Sequence, residues 1–279
     1  MFKFGFNDSE SKEKDENKSQ HKEVQWKESK EVVVSELNPI DSIISSCKIN
    51  SLNVDNIEID YVASTDVMDY LKLQNKECSV LNAEQNHSDL ITAEYEGGLK
   101  IWECTYDLIN YINSLNISFK NKRVLDLGCG SGMVGILTYL LNSKCYFQDY
   151  NNEVISNITI PNVIINSRKH NKPIENAKFF DGDWQSFLEL MQKECSKFDY
   201  ILTSETIYNT ENYTKLINVF RHSLKKDGEV FLAAKSYYFG VGGGLSSFQE
   251  ALDKNNFKYD SCWKCDTGVK REILKITLK

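Results

Sequence analysis

The sequence predicts an α/β fold built on a parallel sheet, and the stretch at residues 124–132 is the main reason. An apolar run of β-type residues there leads into Asp126, and glycine then occupies every second position up to Gly132. A helical pattern begins directly afterwards at Met133. Glycine is needed where the backbone takes a positive φ or lies against a ligand with no Cβ in between. A strand, a glycine loop and a helix in this order form the first unit of an α/β ligand site.

Strand-like and helix-like stretches alternate beyond this unit, which is the second reason for the prediction. Apolar residues at helical spacing predict helices, and β-branched or aromatic runs predict strands. Residues 152–170 are expected to form an interrupted helix, because the crossover needs a helix there although Pro161 falls within it. The predicted strands are 144–149, a short one from 178, 197–203, 229–234, 257–263 and 273–278, and the other predicted helices are 106–112, 133–141, 187–191, 213–224 and 247–252.

Two ligand classes fit the glycine loop. Gly130, Gly132 and Gly135 match the dinucleotide pattern G-x-G-x-x-G, with Asp149 at the position of a ribose-binding carboxylate. The longer pattern D-x-G-x-G-x-G of S-adenosylmethionine (AdoMet) methyltransferases runs from Asp126 to Gly132. Asp126 would repel a pyrophosphate, whereas AdoMet has no phosphate and carries an ammonium and a sulfonium. The extra acid therefore favours AdoMet, with Asp149 accepting hydrogen bonds from the ribose hydroxyls.

Composition excludes several classes of protein. No stretch approaches the roughly 18 apolar residues of a membrane span, and the start of the chain lacks the apolar region of a signal peptide. Eight cysteines without such a signal predict reduced thiols in the cytoplasm or nucleus. Cys262 and Cys265 have no second pair at zinc spacing and none of the four histidines lies in a ligand motif, so no metal is predicted. The net charge of −7 disfavours nucleic-acid binding and suits a basic protein partner.

The chain divides into three predicted segments. Residues 1–31 begin with an alternating Phe-x-Phe-x-Phe motif and continue as a polar stretch that is expected to be disordered, since it cannot bury enough apolar surface. Residues 32–90 are predicted to form an extension with short strands, and its polar stretch at 74–89 is predicted to be a loop. Residues 91–279 are predicted to form the AdoMet-binding domain, and the protein is expected to be a monomer.

Side chains suited to a ligand stand near the ends of the predicted strands, where open α/β sheets bind their ligands. Asp183 and Trp184 follow the short strand from 178 and could supply an acceptor and an aromatic face for adenine. Residues 204–208 follow the next strand. Trp102 and Glu103 lie where a glycine corner meets a helix, close in sequence to the glycine loop, and a role at the site is favoured for both.

Several motifs together resemble the eukaryotic protein-histidine methyltransferases that act on a large-subunit ribosomal protein. The resemblance covers residues 94–279 well and the region before residue 90 poorly, apart from the Phe-x-Phe-x-Phe start. It implies a class I methyltransferase fold, in which a twisted sheet of seven strands carries helices on both faces. The matching segments are 95–105, 124–132, 147–151, 202–208 and 238–244.

The resemblance and the glycine loop together imply a set of residues that hold AdoMet, or its product S-adenosylhomocysteine. These are Ile101, Trp102, Glu103, Cys104, Thr105, Asp126, Gly128, Gly130, Gly132, Gln148, Asp149, Tyr150, Gly182, Asp183, Trp184 and Ser204.

The resemblance implies methyl transfer to the tele nitrogen of a histidine in a large-subunit ribosomal protein, which is expected to be basic. A neutral imidazole has one nitrogen with a free lone pair, while the other carries the proton. Glu205 is predicted to accept that proton's hydrogen bond, which fixes the tautomer and stabilises the cationic product, and Tyr208 is predicted to shape the target pocket. Two alternatives remain open: a lysine methyltransferase that uses Tyr237, Tyr238 and Glu205, and a non-catalytic assembly factor for ribosomal proteins.

Overall fold

The computed structural model describes residues 26–37, 40–74, 78–86 and 88–279, and the Phe-x-Phe-x-Phe start lies outside this part of the chain. The strands are β1 (Lys30–Glu31), β2 (Ile49–Val54), β3 (Ile57–Val62), β4 (Arg123–Leu127), β5 (Lys144–Gln148), β6 (Ala177–Asp181), β7 (Phe198–Ser204), β8 (Leu224–Lys235), β9 (Phe257–Cys265) and β10 (Arg271–Leu278). The helices are α1 (Ile40–Ser46), α2 (Ser64–Leu73), α3 (Ser79–Gln85), α4 (Glu103–Ser114), α5 (Met133–Leu140), α6 (Asn152–Val154), α7 (Ile160–Lys169), α8 (Trp184–Lys193), α9 (Tyr213–Ser223) and α10 (Leu245–Lys254).

Eight of these strands form one sheet in the order β1-β6-β5-β4-β7-β8-β10-β9. The five strands from β6 to β8 in this order run parallel to one another. Strand β10 pairs antiparallel with β8, and β9 pairs antiparallel with β10. The α/β fold with a seven-stranded sheet is therefore confirmed, and β1 adds an eighth strand that pairs antiparallel with β6.

The two faces of the sheet are buried separately, because side chains alternate along each strand. Phe147, Phe179 and Phe231 belong to a hydrophobic cluster that includes residues of α4, α5 and α7. Their neighbours Tyr146 and Phe180 belong to the opposite cluster, which includes residues of α8, α9 and α10. Helices on both faces thus fix the parallel strands and leave the carboxyl ends of those strands free to form a site.

Helix α5 lies directly against the sheet, and all eight of its residues are buried. A Cβ added to Gly135 would approach Phe147 Cε1 to 2.4 Å, so a larger residue there would overpack the contact between helix and strand. The helix begins after Gly132, whose φ of 76° is the left-handed conformation that glycine adopts without strain. This close packing fixes the glycine loop against the ends of the strands.

The interrupted helix expected at 152–170 is confirmed, and its interruption is a five-residue π-helical segment at 155–159 between α6 and α7. Pro161 does not cause a break, because it lies in the first turn of α7, where a missing amide hydrogen is tolerated. Thr159, the last residue of the π-helical segment, donates a hydrogen bond from Oγ1 to the carbonyl oxygen of Gly130 at 2.6 Å. The irregular turn therefore supports the glycine loop.

The region before the main domain differs from the prediction in two places. Residues 79–85, predicted as loop, form α3, in which Val80 and Ala83 are buried. The expectation of disorder is wrong for residues 26–31, which lie along the edge of the sheet and include β1. Short strands are present in this extension as predicted, and β2 and β3 form an antiparallel hairpin. It is joined to α7 by two amide groups, since Asn162 and Asn166 accept hydrogen bonds from the backbone of β3.

Two observations concern the described part of the chain as a whole. Within it, no helix has both the length and the apolar character that crossing a membrane would require. No group of three or more histidine, cysteine, aspartate or glutamate side chains is arranged there to hold a metal ion.

Candidate active site

A cleft with about 740 Å³ of empty space, part of it open to solvent, lies at the carboxyl ends of β4, β5, β6 and β7 and is here called the donor cavity. This is the edge of an open α/β sheet at which ligands bind. The residues that line it are Trp26, Glu96, Gly97, Gly98, Lys100, Ile101, Trp102, Thr105, Gly128, Cys129, Gly130, Ser131, Asp149, Tyr150, Gly182, Asp183, Trp184, Ser204, Glu205, Thr206, Tyr208 and Asn212.

The structure brings most of the predicted cofactor residues together at this cavity. Eleven of the sixteen line it, namely Ile101, Trp102, Thr105, Gly128, Gly130, Asp149, Tyr150, Gly182, Asp183, Trp184 and Ser204. The other five do not line it, and these are Glu103, Cys104, Asp126, Gly132 and Gln148.

The glycine loop forms the floor of the donor cavity, where its glycines add no side chain to fill it. Gly128 and Gly130 have φ values of 67° and 51°, in the left-handed region that favours glycine. A Cβ on Gly130 would lie 2.8 Å from the carbonyl oxygen of Gly98. The loop at 97–98 and the glycine loop therefore approach each other more closely than any other residue at position 130 would allow.

Asp126 does not face the donor cavity. It is buried, and its Oδ2 accepts a hydrogen bond from the amide of Gly135 at 2.8 Å. Burial raises the pKa of Asp126 to about 8, so this carboxyl is mostly neutral at pH 7. The expected repulsion between Asp126 and a pyrophosphate is therefore wrong for this structure, and Asp126 instead anchors the start of α5.

Other acids give the donor cavity its negative character. Glu96, Asp149, Asp183 and Glu205 all line it. Lys100 also lines the cavity, but it forms an ion pair at 3.0 Å with Asp89, which is not one of these four acids. The preference for a cationic ligand that the sequence predicts is thus retained, although it depends on different carboxylates.

Asp149 is held at the end of β5 by the backbone around it. Its Oδ2 accepts a hydrogen bond from the amide of Gly130 at 2.8 Å, and Oδ1 accepts one from the amide of Asn151 at 3.3 Å. Burial raises the pKa of Asp149 to about 6. A carboxylate has about four lone-pair sites, so acceptor capacity remains for two hydroxyl groups of a ligand.

Gln148 acts from behind the wall of the cavity. Its Nε2 donates to the carbonyl oxygen of Gly182 at 2.7 Å, and its Oε1 accepts from the indole Nε1 of Trp184 at 3.0 Å. Both partners line the donor cavity, so this buried amide fixes the orientation of an aromatic wall. The sequence motif alone does not distinguish such a supporting residue from one that contacts the ligand, which is why Gln148 is predicted as a cofactor residue.

The predicted motif at 101–105 lies only partly in the cavity, since Glu103 is exposed and Cys104 is in the protein interior. Ile101, Trp102 and Thr105 line the donor cavity. The carboxylate of Glu103 points away and pairs with Lys235 at 2.9 Å, while Cys104 is fully buried in the core. This division follows from the helical turn that begins at Glu103, since successive helical residues face different directions.

A second, smaller cavity of about 370 Å³, here called the acceptor cavity, adjoins the first. Four residues line both cavities, and these are Glu96, Trp102, Glu205 and Tyr208. The remaining lining of the acceptor cavity is mostly apolar, with Leu90, Tyr238 and Val241. A side chain that enters it would therefore meet the contents of the donor cavity across a shared wall.

Glu205 forms part of that wall and is held in an unusual conformation. Its φ of 60° is uncommon for a residue with a side chain, and such a conformation costs about 1–3 kcal/mol. Oε1 accepts from the amide of Cys104 at 3.4 Å and lies 3.5 Å from Nζ of Lys235. Oε2 is buried and accepts no hydrogen bond from the described residues. A buried carboxylate oxygen without a donor is costly, and a ligand that donates to it would remove the cost.

Tyr208 also lines both cavities, and its hydroxyl donates a hydrogen bond to Oε2 of Glu96. Burial raises the pKa of Glu96, and this hydrogen bond opposes the shift in part. Tyr238, singled out for the lysine alternative, is buried against Tyr208 with ring centroids 6.3 Å apart. Tyr237, singled out with it, is half exposed and does not line either cavity.

Sequence reasoning missed several residues of the lining. Glu96 directly precedes the glycine corner at Gly97, and an acid at such a corner is a signal for a site residue. Trp26 falls in the segment predicted to be a polar tail, where a tryptophan among charged residues is the available signal. The remaining residues missed by the prediction are Leu90, Gly97, Gly98, Lys100, Cys129, Ser131, Thr206, Asn212 and Val241.

The donor cavity suits AdoMet in the chemistry and charge of its lining. Gly128 and Gly130 bring backbone without a Cβ to the floor of the cavity, and Trp184 supplies an aromatic face. The lining carboxylates complement a ligand that carries an ammonium and a sulfonium. Asp149 offers acceptors for a ribose.

The comparisons with known proteins agree with this fit. A family model described as "Lysine methyltransferase" matches residues 84–240. The "Histidine protein methyltransferase 1 homolog" of Bos taurus is 43% identical over 218 residues, which is 70% of this chain and 58% of the relative. The protein of that name from Mus musculus is 40% identical over 243 residues, which is 78% of this chain and 67% of the relative.

A solved structure supports the fold assignment. A methyltransferase crystallised with S-adenosylhomocysteine superimposes with a TM-score of 0.54 at 10% identity, over 82% of this chain and 56% of that one. The chain spans about three fifths to two thirds of the length of the curated relatives it matches. By the family model and by these relatives, the chain belongs to the class I AdoMet-dependent protein methyltransferases, in the family that contains histidine protein methyltransferase 1.

Proposed function

We propose that this chain is a protein-histidine N-methyltransferase, which transfers the methyl group of AdoMet to an imidazole nitrogen of a protein substrate. The observation that carries the proposal is the pair of adjoining cavities with a shared wall. The donor cavity is polar and lined by acids, and the acceptor cavity is small and mostly apolar. Between them stands Glu205 with a buried oxygen that lacks a donor.

The residues that line the donor cavity can be assigned to the parts of AdoMet that they would bind. Asp149 accepts hydrogen bonds from the ribose, and Trp184 and Asp183 bind the base. Ile101, Trp102, Thr105 and the glycine floor enclose the rest of the molecule. When bound, AdoMet supplies a methyl group that its positive sulfur has already activated. The residues of the chain then have to align the two partners and exclude water, because positioning accounts for much of the rate of such a transfer.

The acceptor side assigns a role to Glu205. Oε2 accepts a hydrogen bond from the protonated ring nitrogen of the target imidazole, which leaves the lone pair of the other nitrogen facing the donor cavity. With the pros nitrogen as the donor to Glu205, the tele nitrogen is the one that reacts. The ring becomes cationic as it is methylated, and the carboxylate stabilises this charge. Tyr208 and Tyr238 shape the walls around the ring.

Lysine methylation is the second candidate, and the description of the matching family model favours it. Tyr238 and Glu205 would then surround an amine. A lysine must lose a proton before it attacks, and Oε2 of Glu205 is the buried acceptor available for that proton. The relatives named for histidine are 40% and 43% identical to this chain, which favours the imidazole.

We propose a basic large-subunit ribosomal protein as the substrate, modified by a monomeric enzyme in the cytoplasm and nucleus. The net charge of −7 and the acids of the donor cavity favour a basic partner over nucleic acid. The alternative of a non-catalytic assembly factor would retain AdoMet binding without turnover. A cavity that places an unsatisfied carboxylate next to the donor site supports catalysis instead.

The deciding experiment transfers labelled methyl groups from AdoMet to purified large-subunit ribosomal proteins. We expect label in a basic protein and, after complete hydrolysis, tele-methylhistidine as the labelled amino acid. Labelled methyllysine would replace the proposal with the lysine alternative. AdoMet binding with no transfer to any of these proteins would favour the assembly factor. Mass spectrometry of proteolytic fragments then locates the modified residue.

The affinity for AdoMet should depend on pH through Asp149. Its pKa of about 6 in the free protein means that the carboxyl binds a proton as the pH falls below this value. The protonated form is neutral and attracts a cationic ligand less. We therefore expect the dissociation constant to rise by up to about tenfold for each pH unit below 6 and to be constant above 7. Calorimetric titration between pH 5 and pH 8 measures this.

The variant Asp149→Asn keeps an oxygen for the amide of Gly130 but has no proton to exchange. It should bind AdoMet weakly at every pH, with a flat profile. Asp253→Asn, at an exposed position on α10, serves as the control and should retain the profile of the parent. A profile that persists in Asp149→Asn would assign the titration to another acid of the cavity, with Glu96 as the next candidate because burial raises its pKa as well.

A further inference from the structure

Residues 26–31, here called the amino-terminal strap, run from the edge of the sheet to the donor cavity. Lys30 and Glu31 pair with the end of β6. Before them, the carbonyl oxygen of Lys27 accepts a hydrogen bond from the amide of Asp183 at 2.9 Å. The amide of Ser29 donates to Oγ of Ser186 at 2.9 Å. The strap therefore follows β6 past its carboxyl end, where the ligand edge of the sheet lies.

Gly182 leaves room for the strap. This glycine follows β6 and has a φ of 93°. A Cβ added to it would lie 2.6 Å from Cα of Ser29 and 2.7 Å from the carbonyl oxygen of Glu28. The three atoms nearest to that Cβ all belong to the strap, so the close approach here is between two backbone segments. The turn after β6 is shaped to receive residues 28 and 29.

Trp26 ends the strap and lines the donor cavity. Nζ of Lys215 lies 3.2 Å from the centroid of its ring, which is within the range of a cation–π interaction. The same Nζ forms an ion pair with Oδ2 of Asp183 at 2.7 Å, and both side chains are mostly buried. The ring also meets Tyr150 edge-on, with centroids 6.1 Å apart and planes at 87°. Trp26 is thus held between residues that follow β5 and β6 and a lysine of α9.

We propose that the strap supplies a wall of the cofactor site, in which Trp26 covers the end of the donor cavity that takes the adenosine part of AdoMet. Tyr150 and Asp183, next to Trp26, follow the two strands whose ends bind ribose and base in the proposed function. The strap lies outside residues 84–240, which the family model matches. This wall is therefore an addition to the part of the fold that the family model describes.

The proposal rests on AdoMet as the ligand and is independent of which side chain receives the methyl group. A wall that touches the nucleoside has to separate from it before the product can leave, so its removal should act mainly on the dissociation rate. Lys215 links the wall to the site, because one ammonium group contacts both the ring of Trp26 and the carboxylate of Asp183.

The test measures binding of S-adenosylhomocysteine and AdoMet to the full chain without any protein substrate. We expect Trp26→Ala to weaken both by about tenfold, through faster dissociation, and Trp26→Phe to stay within threefold of the parent because an aromatic face remains. Trp263→Phe, on β9, is the matched control and should bind as the parent does. Affinities within twofold of the parent for Trp26→Ala would overturn the proposal.

Hydrogen exchange provides a second readout that does not depend on the folding of a variant. The amide of Asp183 donates to the strap, and the amide of Val32 donates to β6 at 2.8 Å. Saturation of the parent with S-adenosylhomocysteine should slow exchange at both by tenfold or more, and should leave the amide of Val62 in the hairpin unchanged. If S-adenosylhomocysteine does not change the exchange rate of the Asp183 amide, the proposal is contradicted, even if the methyltransferase activity is confirmed.

Discussion

Replacing Glu205 with glutamine should lower the turnover number by about 100-fold or more while the affinity for AdoMet stays within threefold of the parent. A positioned acid or base typically contributes 10²- to 10⁴-fold to a rate. The glutamine side chain fills the same space but cannot stabilise the charge that forms on the imidazole. It also offers an amide hydrogen where the target needs an acceptor. Steady-state kinetics with the substrate protein, together with calorimetry of AdoMet binding, separate the two effects.

The ion pairs of Lys235 determine whether the variant Glu205→Gln remains folded. Lys235 is 3% exposed and lies near the carboxylates of both Glu103 and Glu205, so it keeps one partner when Glu205 is neutralised. The protein should therefore remain folded, with a melting temperature close to that of the parent. Glu211→Gln, at an exposed position after β7, is the control and should change neither quantity.

Two outcomes would reject the assignment of Glu205. Turnover within threefold of the parent would mean that the carboxylate does not act on the target ring. Losses of AdoMet affinity and turnover by the same factor would mean that Glu205 orients the donor instead. The first outcome leaves the histidine reaction possible with another acceptor, and Glu96 is the remaining carboxylate of the shared wall.

The parts of this site that local sequence encodes could be predicted. The glycine loop, the start of α5 and the acid at the end of β5 depend on residues that are close in the chain, and all three are present as expected. The prediction that Asp126 faces the ligand is wrong, although the alternation of side chains along the strand could have shown this. It is two residues from Val124 in the same strand, and Val124 belongs to the cluster under α5. Because strand side chains alternate, Asp126 had to face α5 rather than the loop.

Contacts between distant parts of the chain could not be predicted in the same way. The strap reaches β6 across 151 residues of sequence, as the hydrogen bond from Lys30 to Asp181 shows. A strand of two residues carries no periodicity that would identify it. Its polar composition correctly indicates that it cannot fold alone, but the edge of an existing sheet offers it hydrogen-bond partners. Glu96 and Tyr208 likewise meet only because the fold brings their loops together.

Replacing Gly130 with arginine should abolish measurable AdoMet binding, which corresponds to a loss of more than about 1,000-fold. The Cβ alone would lie 2.8 Å from the carbonyl oxygen of Gly98, so the loop at 97–98 and the glycine loop would have to separate. The rest of the side chain would bring a cation to a site whose acids bind a cationic ligand. Among these acids, Asp149 contacts Gly130 directly, because its Oδ2 accepts a hydrogen bond from the amide of Gly130.

The control for this variant is Gly268→Arg. Gly268 also has a left-handed φ, of 72°, but a Cβ there would meet no atom within 4 Å. Both variants carry the backbone cost of a side chain in this conformation, about 1–2 kcal/mol. Only Gly130→Arg adds the clash between the loops, so only it should lose binding in calorimetric titration while both keep the circular dichroism spectrum of the parent. Retained affinity in Gly130→Arg would mean that AdoMet does not lie on the glycine floor, and the donor and acceptor cavities would then have to be assigned anew.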